Sequence, residues 1–159
     1  MKIDIKSIKN GEFDFEIEPD AELISTTPHK FDGVVRVNAK VEHFDNDKLE
    51  ISFLLRVPCV FICDRCGIEF RRTIAIEAVE SFEKQPSENE DSYELRGSII
   101  ELDDVIRNIL ACNFPTSVLC REDCKGLCSV CGNNLNLTDC ECQKEIGNNN
   151  PFADLFKRN

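Results

Sequence analysis

Eight of the ten cysteines in this chain of 159 residues fall into four close pairs, a spacing typical of metal ligands. Two pairs have the form Cys-x-x-Cys-Gly, at residues 63–67 and 128–132. Each such turn supplies two thiolates, and its glycine can take the positive φ angle that the turn often requires. Because a tetrahedral zinc site needs four ligands, four pairs predict two zinc ions. The predicted ligands are Cys63, Cys66, Cys120, Cys124, Cys128, Cys131, Cys140 and Cys142.

Disulfide bonds are the alternative use of so many cysteines, and they require an oxidising compartment. Residues 1–10 are charged and lack the apolar core and cleavage site of a secretion signal. No later stretch approaches the length of a membrane span. We therefore expect a cytoplasmic protein that does not engage a membrane and whose cysteine pairs bind metal.

Spacing also indicates which cysteine pairs share an ion. The pairs at 128/131 and 140/142 are separated by a short loop that can bring them together at low entropic cost, so they are assigned to one site. The pairs at 63/66 and 120/124 would then form a second, long-range site that restricts the unfolded chain. A rival pairing joins 120/124 to 128/131 and leaves 63/66 without partners; spacing alone allows both.

The two remaining cysteines are predicted to be structural. Cys59 continues the inward phase of a strand, and Cys112 lies at the edge of the apolar face of a helix, where it is expected to be a small buried hydrophobe. Cys59 also forms, with the cysteines at 63 and 66, the spacing Cys-x3-Cys-x2-Cys that is typical of an iron–sulfur motif. The cysteines at 124, 128 and 131 have the same spacing. Radical enzymes with that spacing are large α/β barrels, and this chain is too short and has no repeated strand–helix units. No catalytic constellation or phosphate loop is present, so we expect a protein that is not an enzyme.

Charge narrows the class of partner. The formal net charge is −11, and two zinc ions bound by four thiolates each would take it to about −15. Such a field repels phosphate backbones, so a basic protein partner is favoured and any RNA contact is secondary. A candidate basic patch is largely cancelled by neighbouring acids in the sequence; it consists of Arg65, Arg71, Arg72, Arg121 and Lys125.

Period-two alternation predicts the elements that must position these cysteines. Residues 35–41 and 49–57 alternate apolar and polar side chains around an Asp/Asn turn, which indicates an antiparallel hairpin. A third strand is predicted over 68–78, so the first Cys-x-x-Cys turn joins strands two and three of a meander. Apolar residues at helical spacing over 102–110 predict one amphipathic helix that ends before Pro115.

The predicted fold class is α+β, with a mainly antiparallel sheet or partial β-barrel, one packed amphipathic helix and a cysteine-rich zinc-binding C-terminal segment. Residues 1–119 are expected to form the core domain, which includes the first zinc turn at 63–66. Residues 120–142 form the cysteine-rich segment, which is too polar to fold by apolar burial and needs metal to become ordered. Residues 143–159 are expected to be a linker and a short C-terminal helix.

The chain resembles the YceD family of large ribosomal RNA subunit accumulation proteins. The resemblance depends on Cys-Asp-Arg-Cys at 63–66, Ile-Ile-Glu-Leu-Asp-Asp-Val at 99–105, the run 119–136 and Asn-Pro-Phe at 150–152. It differs at Ser129, where the family usually has proline. The resemblance implies a non-enzymatic role in large-subunit biogenesis, and the charge favours an adaptor for a basic ribosomal protein or assembly factor. The alternatives are a zinc-binding interaction module in transcription or regulation, and a redox or iron–sulfur protein.

Overall fold

The computed structural model describes residues 2–4, 11–25, 29–43, 48–85, 92–95, 97 and 99–142. The chain divides into two compact units, which we call the sheet unit (1–61 and 71–116) and the cysteine unit (62–70 and 117–159). Sequence reasoning grouped the turn at 63–66 with residues 1–119, whereas contacts in the structure group it with the cysteine-rich segment. The predicted linker and helix at 143–159 lie outside the described residues.

Ten elements are described. The helices are α1 (Ala21–Ser25) and α2 (Leu102–Asn113), and the strands are β1 (Lys2–Asp4), β2 (Gly11–Ile17), β3 (Lys30–Phe31), β4 (Val35–His43), β5 (Lys48–Ile62), β6 (Glu69–Glu83), β7 (Ser92–Glu94) and β8 (Ile99–Glu101). The main sheet has the order β2-β4-β5-β6-β7, with β3 paired to β5, and β1 pairs with β8 in a separate two-stranded sheet. Strands β2, β4 and β5 are antiparallel neighbours, and β6 and β7 are parallel. Over the described residues the main sheet is open, so the partial barrel is not the form observed.

The predicted hairpin is confirmed as β4 and β5, which pair in antiparallel register with Val37 opposite Leu55. Alternate side chains of both strands enter the core, and Val35, Ile51 and Leu55 have no exposed surface. This is the outcome expected when one face of a sheet is buried, because a one-residue shift in register would expose every apolar side chain.

The predicted amphipathic helix is confirmed as α2. Its buried side chains have the predicted helical spacing; they are Leu102, Val105, Ile106, Ile109 and Leu110. Asp103 and Asp104 occupy the first turn, where the helix dipole favours negative charge. The prediction for Cys112 is wrong: this side chain is exposed, because it lies beside the apolar stripe rather than within it. The prediction for Cys59 is confirmed, since it is 1% exposed in the core of the sheet unit. No helix of the described residues is long and apolar enough to span a membrane.

Candidate metal centres

The two Cys-x-x-Cys-Gly turns have the same backbone geometry. Gly67 and Gly132 adopt φ angles of 69° and 74°, so the predicted positive φ is confirmed at both positions. Each glycine N–H donates to the carbonyl oxygen of the first cysteine of its turn, over 2.8 Å to Cys63 and 2.9 Å to Cys128. The N–H of that cysteine donates in turn to the carbonyl oxygen of the residue after the glycine. Both turns therefore present their two thiols in the same way.

The first centre is the group Cys63, Cys66, Cys120 and Cys124, whose sulfur atoms all lie within 4.8 Å of one another. It joins the turn between β5 and β6 to the segment that follows α2. The Sγ atoms of Cys63 and Cys124 are 3.7 Å apart, as are those of Cys66 and Cys120. Phe70 and Leu119 pack against these sulfurs, so the centre is largely shielded from water.

The second centre is the group Cys128, Cys131, Cys140 and Cys142, with sulfurs again within 4.8 Å of one another. It is more open than the first, because Cys131 is exposed and only Cys128 is fully buried. The backbone N–H of Val130 points at the Cys128 sulfur over 3.5 Å, a weak contact of the kind that stabilises a thiolate in such turns.

Two sulfur–sulfur distances of the first centre match those expected around a single tetrahedral ion. Zinc–sulfur bonds of about 2.3 Å place the sulfurs of a regular tetrahedron about 3.8 Å apart. The observed 3.7 Å is close to that value and far longer than the ~2.05 Å of a disulfide bond. The structure groups the pair 63/66 with the pair 120/124, and not 120/124 with 128/131 as in the rival pairing. Cys124 therefore lies in a different group from Cys128 and Cys131, so these three cysteines do not form the iron–sulfur site that their spacing allowed. That the eight cysteines bind zinc stays a prediction.

Asp64, inside the first turn, holds the chain segment that precedes Cys120. Its carboxylate accepts hydrogen bonds from the backbone N–H of Val118 and from the Ser117 hydroxyl. Its own N–H donates to the carbonyl oxygen of Val118 over 3.0 Å. These three bonds place Cys120 beside the turn at 63–66, and the sequence alone did not identify Asp64 as a positioning residue.

Arg65 holds the segment on the other side of Cys120. Its guanidinium donates to the carbonyl oxygen of Cys124 over 3.0 Å, and its carbonyl oxygen accepts from the N–H of Leu127. A basic residue that the sequence suggested for an RNA patch is therefore used inside the cysteine unit. Arg121 and Lys125 form ion pairs with Asp123 and Asp139, with nitrogen–oxygen distances of 3.3 Å and 3.8 Å.

Asn136 also contacts the first centre, and sequence reasoning did not identify it. It lies in the loop of the second centre, yet its side-chain amide donates to the Cys124 sulfur over 3.3 Å. Its carbonyl oxygen accepts from the backbone N–H of Lys125 and from Arg121, over 2.8 Å and 2.7 Å. The only signal in the sequence is the concentration of asparagine at positions 133, 134 and 136, between two ligand pairs.

Protons are held unequally by the four thiols of each centre. Burial disfavours a thiolate at Cys63, but backbone N–H donors, that of Cys120 foremost, outweigh it and lower its pKa to about 6. Burial and hydrogen bonds to the other thiols raise the pKa of Cys120 to about 12. In the second centre, N–H groups of the turn, that of Cys131 first, lower the pKa of Cys128 to about 6. A hydrogen bond to Cys128, with burial, raises the pKa of Cys140 to about 12. Each metal-free centre thus combines a thiol that ionises readily with one that retains its proton.

We expect the affinity for a divalent metal to fall steeply as pH is lowered. Only thiolates bind the ion, so thiols such as Cys120 and Cys140, with pKa values of about 12, must lose protons when it enters. Each displaced proton should weaken binding ~10-fold per pH unit. Competition with a chelator of known pH dependence measures this between about pH 6 and pH 9. Equal affinity across that range would contradict the assignment of thiolate ligands.

Comparison with known proteins gives one family and one curated relative. Residues 51–157 match a family described as "Large ribosomal RNA subunit accumulation protein YceD". The relative is "Large ribosomal RNA subunit accumulation protein YCED homolog 1, chloroplastic" of Arabidopsis thaliana, 25% identical over 130 residues. That match covers 62% of this chain and 40% of the relative, so the chain spans less than half of the relative's length. No solved structure matches the chain.

Proposed function

Because the chain belongs to the YceD family, as its motifs predicted, we propose that it is a non-enzymatic cytoplasmic protein that acts in the accumulation of large-subunit ribosomal RNA. The observation that carries this proposal is the family match over residues 51–157, a region that contains all eight cysteines of the two centres. The curated relative has the same description in its name. The family match and both cysteine centres thus lie in the same part of the chain.

Zinc is the ion we propose for both centres. Four thiolates in a tetrahedral arrangement suit zinc or iron. We choose zinc because it has no redox chemistry, so a zinc site needs no access for a substrate. Zinc would here cross-link the chain and supply no catalytic step. The residues that would hold it are Cys63, Cys66, Cys120 and Cys124 in the first centre and Cys128, Cys131, Cys140 and Cys142 in the second.

Charge supports an adaptor for a basic ribosomal protein or assembly factor. Residues 62–70 and 117–142 carry three basic and six acidic side chains, and two zinc–tetrathiolate centres would bring this region to about −7. All three of its basic side chains already contact carbonyl or carboxylate oxygens, at Arg65, Arg121 and Lys125. A phosphate backbone would find little free positive charge here, whereas a basic protein surface would be attracted.

Two apolar side chains offer the central contact that such an interface needs. Val130, in the second turn, is 62% exposed, and Leu137, in the loop between the ligand pairs, is 82% exposed. Exposed apolar side chains can supply the few central contacts that carry most of the binding energy of a protein interface. We therefore place the partner-binding surface on the second centre.

Sedimentation of cell extracts through a density gradient tests the proposal. We expect the protein to travel with precursors of the large subunit and its depletion to lower the amount of large-subunit ribosomal RNA. A protein that stays at the top of the gradient, or travels with RNA polymerase, would favour a module in transcription or regulation. If this protein still binds purified ribosomal RNA from which all other proteins have been removed, the adaptor role is contradicted.

The double variant Val130→Ser and Leu137→Ser should co-sediment with these precursors at least ~10-fold less, because truncating central apolar contacts costs about 1–2 kcal/mol each. The matched control is Val79→Ser, since Val79 is 61% exposed on β6 in the sheet unit. Metal analysis should find the same ion content in all three proteins. Co-sedimentation unchanged from the unaltered protein would exclude this surface.

A further inference from the structure

We propose that Asn136 couples the two metal centres, so that an ion in the second centre strengthens binding of an ion in the first. The inference rests on the proposed function only in requiring that both groups of cysteines bind metal. Asn136 belongs to the second centre by its place in the chain, between Cys131 and Cys140. By its side-chain contact it belongs to the first, since its amide donates to the Cys124 sulfur.

The orientation of the Asn136 amide is settled by its partners. The backbone N–H of Lys125 can only donate, and it lies 2.8 Å from one end of the amide, which must therefore be the oxygen. The other end is the nitrogen, which carries two N–H groups. These donate to the Cys124 sulfur over 3.3 Å and to the Asn134 side-chain oxygen over 2.8 Å. Hydrogen bonds of this kind to a ligand atom stabilise the bound thiolate.

Backbone contacts around Asn136 join loop 132–139 to the chain segment that follows Cys124. Leu135 donates its N–H to the carbonyl oxygen of Gly126 over 2.9 Å, and Leu127 and Asn134 form an antiparallel bridge. Gly126 has a φ of +78°, and a β-carbon there would lie 3.0 Å from the carbonyl oxygen of Arg65. This glycine lets the segment after Cys124 lie close against Arg65 of the first turn, and loop 132–139 is bound to that same segment.

Coupling follows from where the loop is anchored. Both ends of loop 132–139 are next to ligands of the second centre, Cys131 and Cys140. An ion there closes the loop and removes most of the entropy that Asn136 would otherwise lose in ordering against Cys124. The first centre therefore gains the hydrogen bond at lower entropic cost. By thermodynamic linkage, an ion in the first centre strengthens the second by the same factor.

A double-mutant cycle on the full chain tests the proposal. Occupancy of the first centre is read against buffered free Zn2+ as protection of Cys63 and Cys66 from alkylation, by mass spectrometry of their peptide. Asn136→Ala and Cys140→Ser are each expected to lower the Zn2+ affinity of the first centre ~10- to 100-fold, the usual effect of losing a partner of a ligand. The double variant should lose no more than Asn136→Ala alone, because Cys140→Ser acts through Asn136. Additive losses would overturn the proposal.

Two further variants keep the result interpretable. Asn133→Ala changes an exposed asparagine of the same loop and should leave the affinity unchanged. Asn136→Asp keeps the acceptor oxygen for Lys125 and Arg121 but loses the donor to sulfur, so it too must weaken the first centre. If the unaltered protein binds two ions and Asn136→Asp binds them as tightly, coupling through Asn136 is wrong while the metal proposal stands. If the unaltered protein binds none, both are overturned.

Discussion

The variants Cys63→Ser and Cys140→Ser should each retain one metal ion where the unaltered protein binds two, and each should lose a different ion. The structure places Cys63 in the first group of four sulfurs and Cys140 in the second, and the groups share no ligand. Removing one of four thiolates opens a structural zinc site to water and typically abolishes tight binding. Metal quantification on the purified proteins measures the ions per chain, and alkylation mapping identifies which cysteines remain protected.

Cys112→Ser is the matched control, because Cys112 is exposed on α2 and belongs to neither group. It should retain both ions. The rival pairing, with 120/124 joined to 128/131, predicts instead that Cys63→Ser binds as much metal as the unaltered protein. Retention of both ions in Cys63→Ser would therefore contradict the first centre as the structure has it. Purified protein that contains iron rather than zinc would contradict the choice of ion.

Removal of metal should unfold the cysteine unit while the sheet unit stays folded. Over the described residues, the fully buried side chains of the cysteine unit are almost all cysteines; they are Cys63, Cys66, Val118, Cys124 and Cys128. Such a unit has little apolar surface to bury, so metal binding must supply its folding free energy, which is roughly 10–16 kcal/mol for a structural zinc site. The sheet unit has its own core, in which Phe61, Leu55 and Ile106 are buried.

Amide hydrogen exchange with and without a strong chelator measures this difference within one molecule. We expect protection to fall at least ~100-fold for residues 117–142, since local opening then requires little free energy. Amides of β4 and of residues 49–59 in β5 serve as the internal control and should exchange at the same rate in both states. Equal protection of 117–142 with and without metal would show that the cysteine unit folds without ions.

The fold was most predictable where burial imposes a period on the sequence. Alternation of two placed the core face of β4 and β5 correctly, and helical spacing placed that of α2, because each element buries one face against the same core. The prediction for Cys112 failed because a residue beside an apolar stripe is buried only if a neighbouring element covers it. The open form of the sheet and the parallel pairing of β7 with β6 arise from contacts between residues distant in the chain. The period of the hydrophobic pattern does not predict such contacts.

The types and spacing of the cysteines, by themselves, determined that the thiols come in pairs and that glycines at 67 and 132 take positive φ, because a four-residue turn brings two thiols together locally. Only the tertiary structure decided which pairs share a centre, since two assignments satisfy the same spacings. The same holds for Asp64, Arg65 and Asn136. Each has an ordinary polar side chain, and its role comes from a partner that folding brings close from elsewhere in the chain.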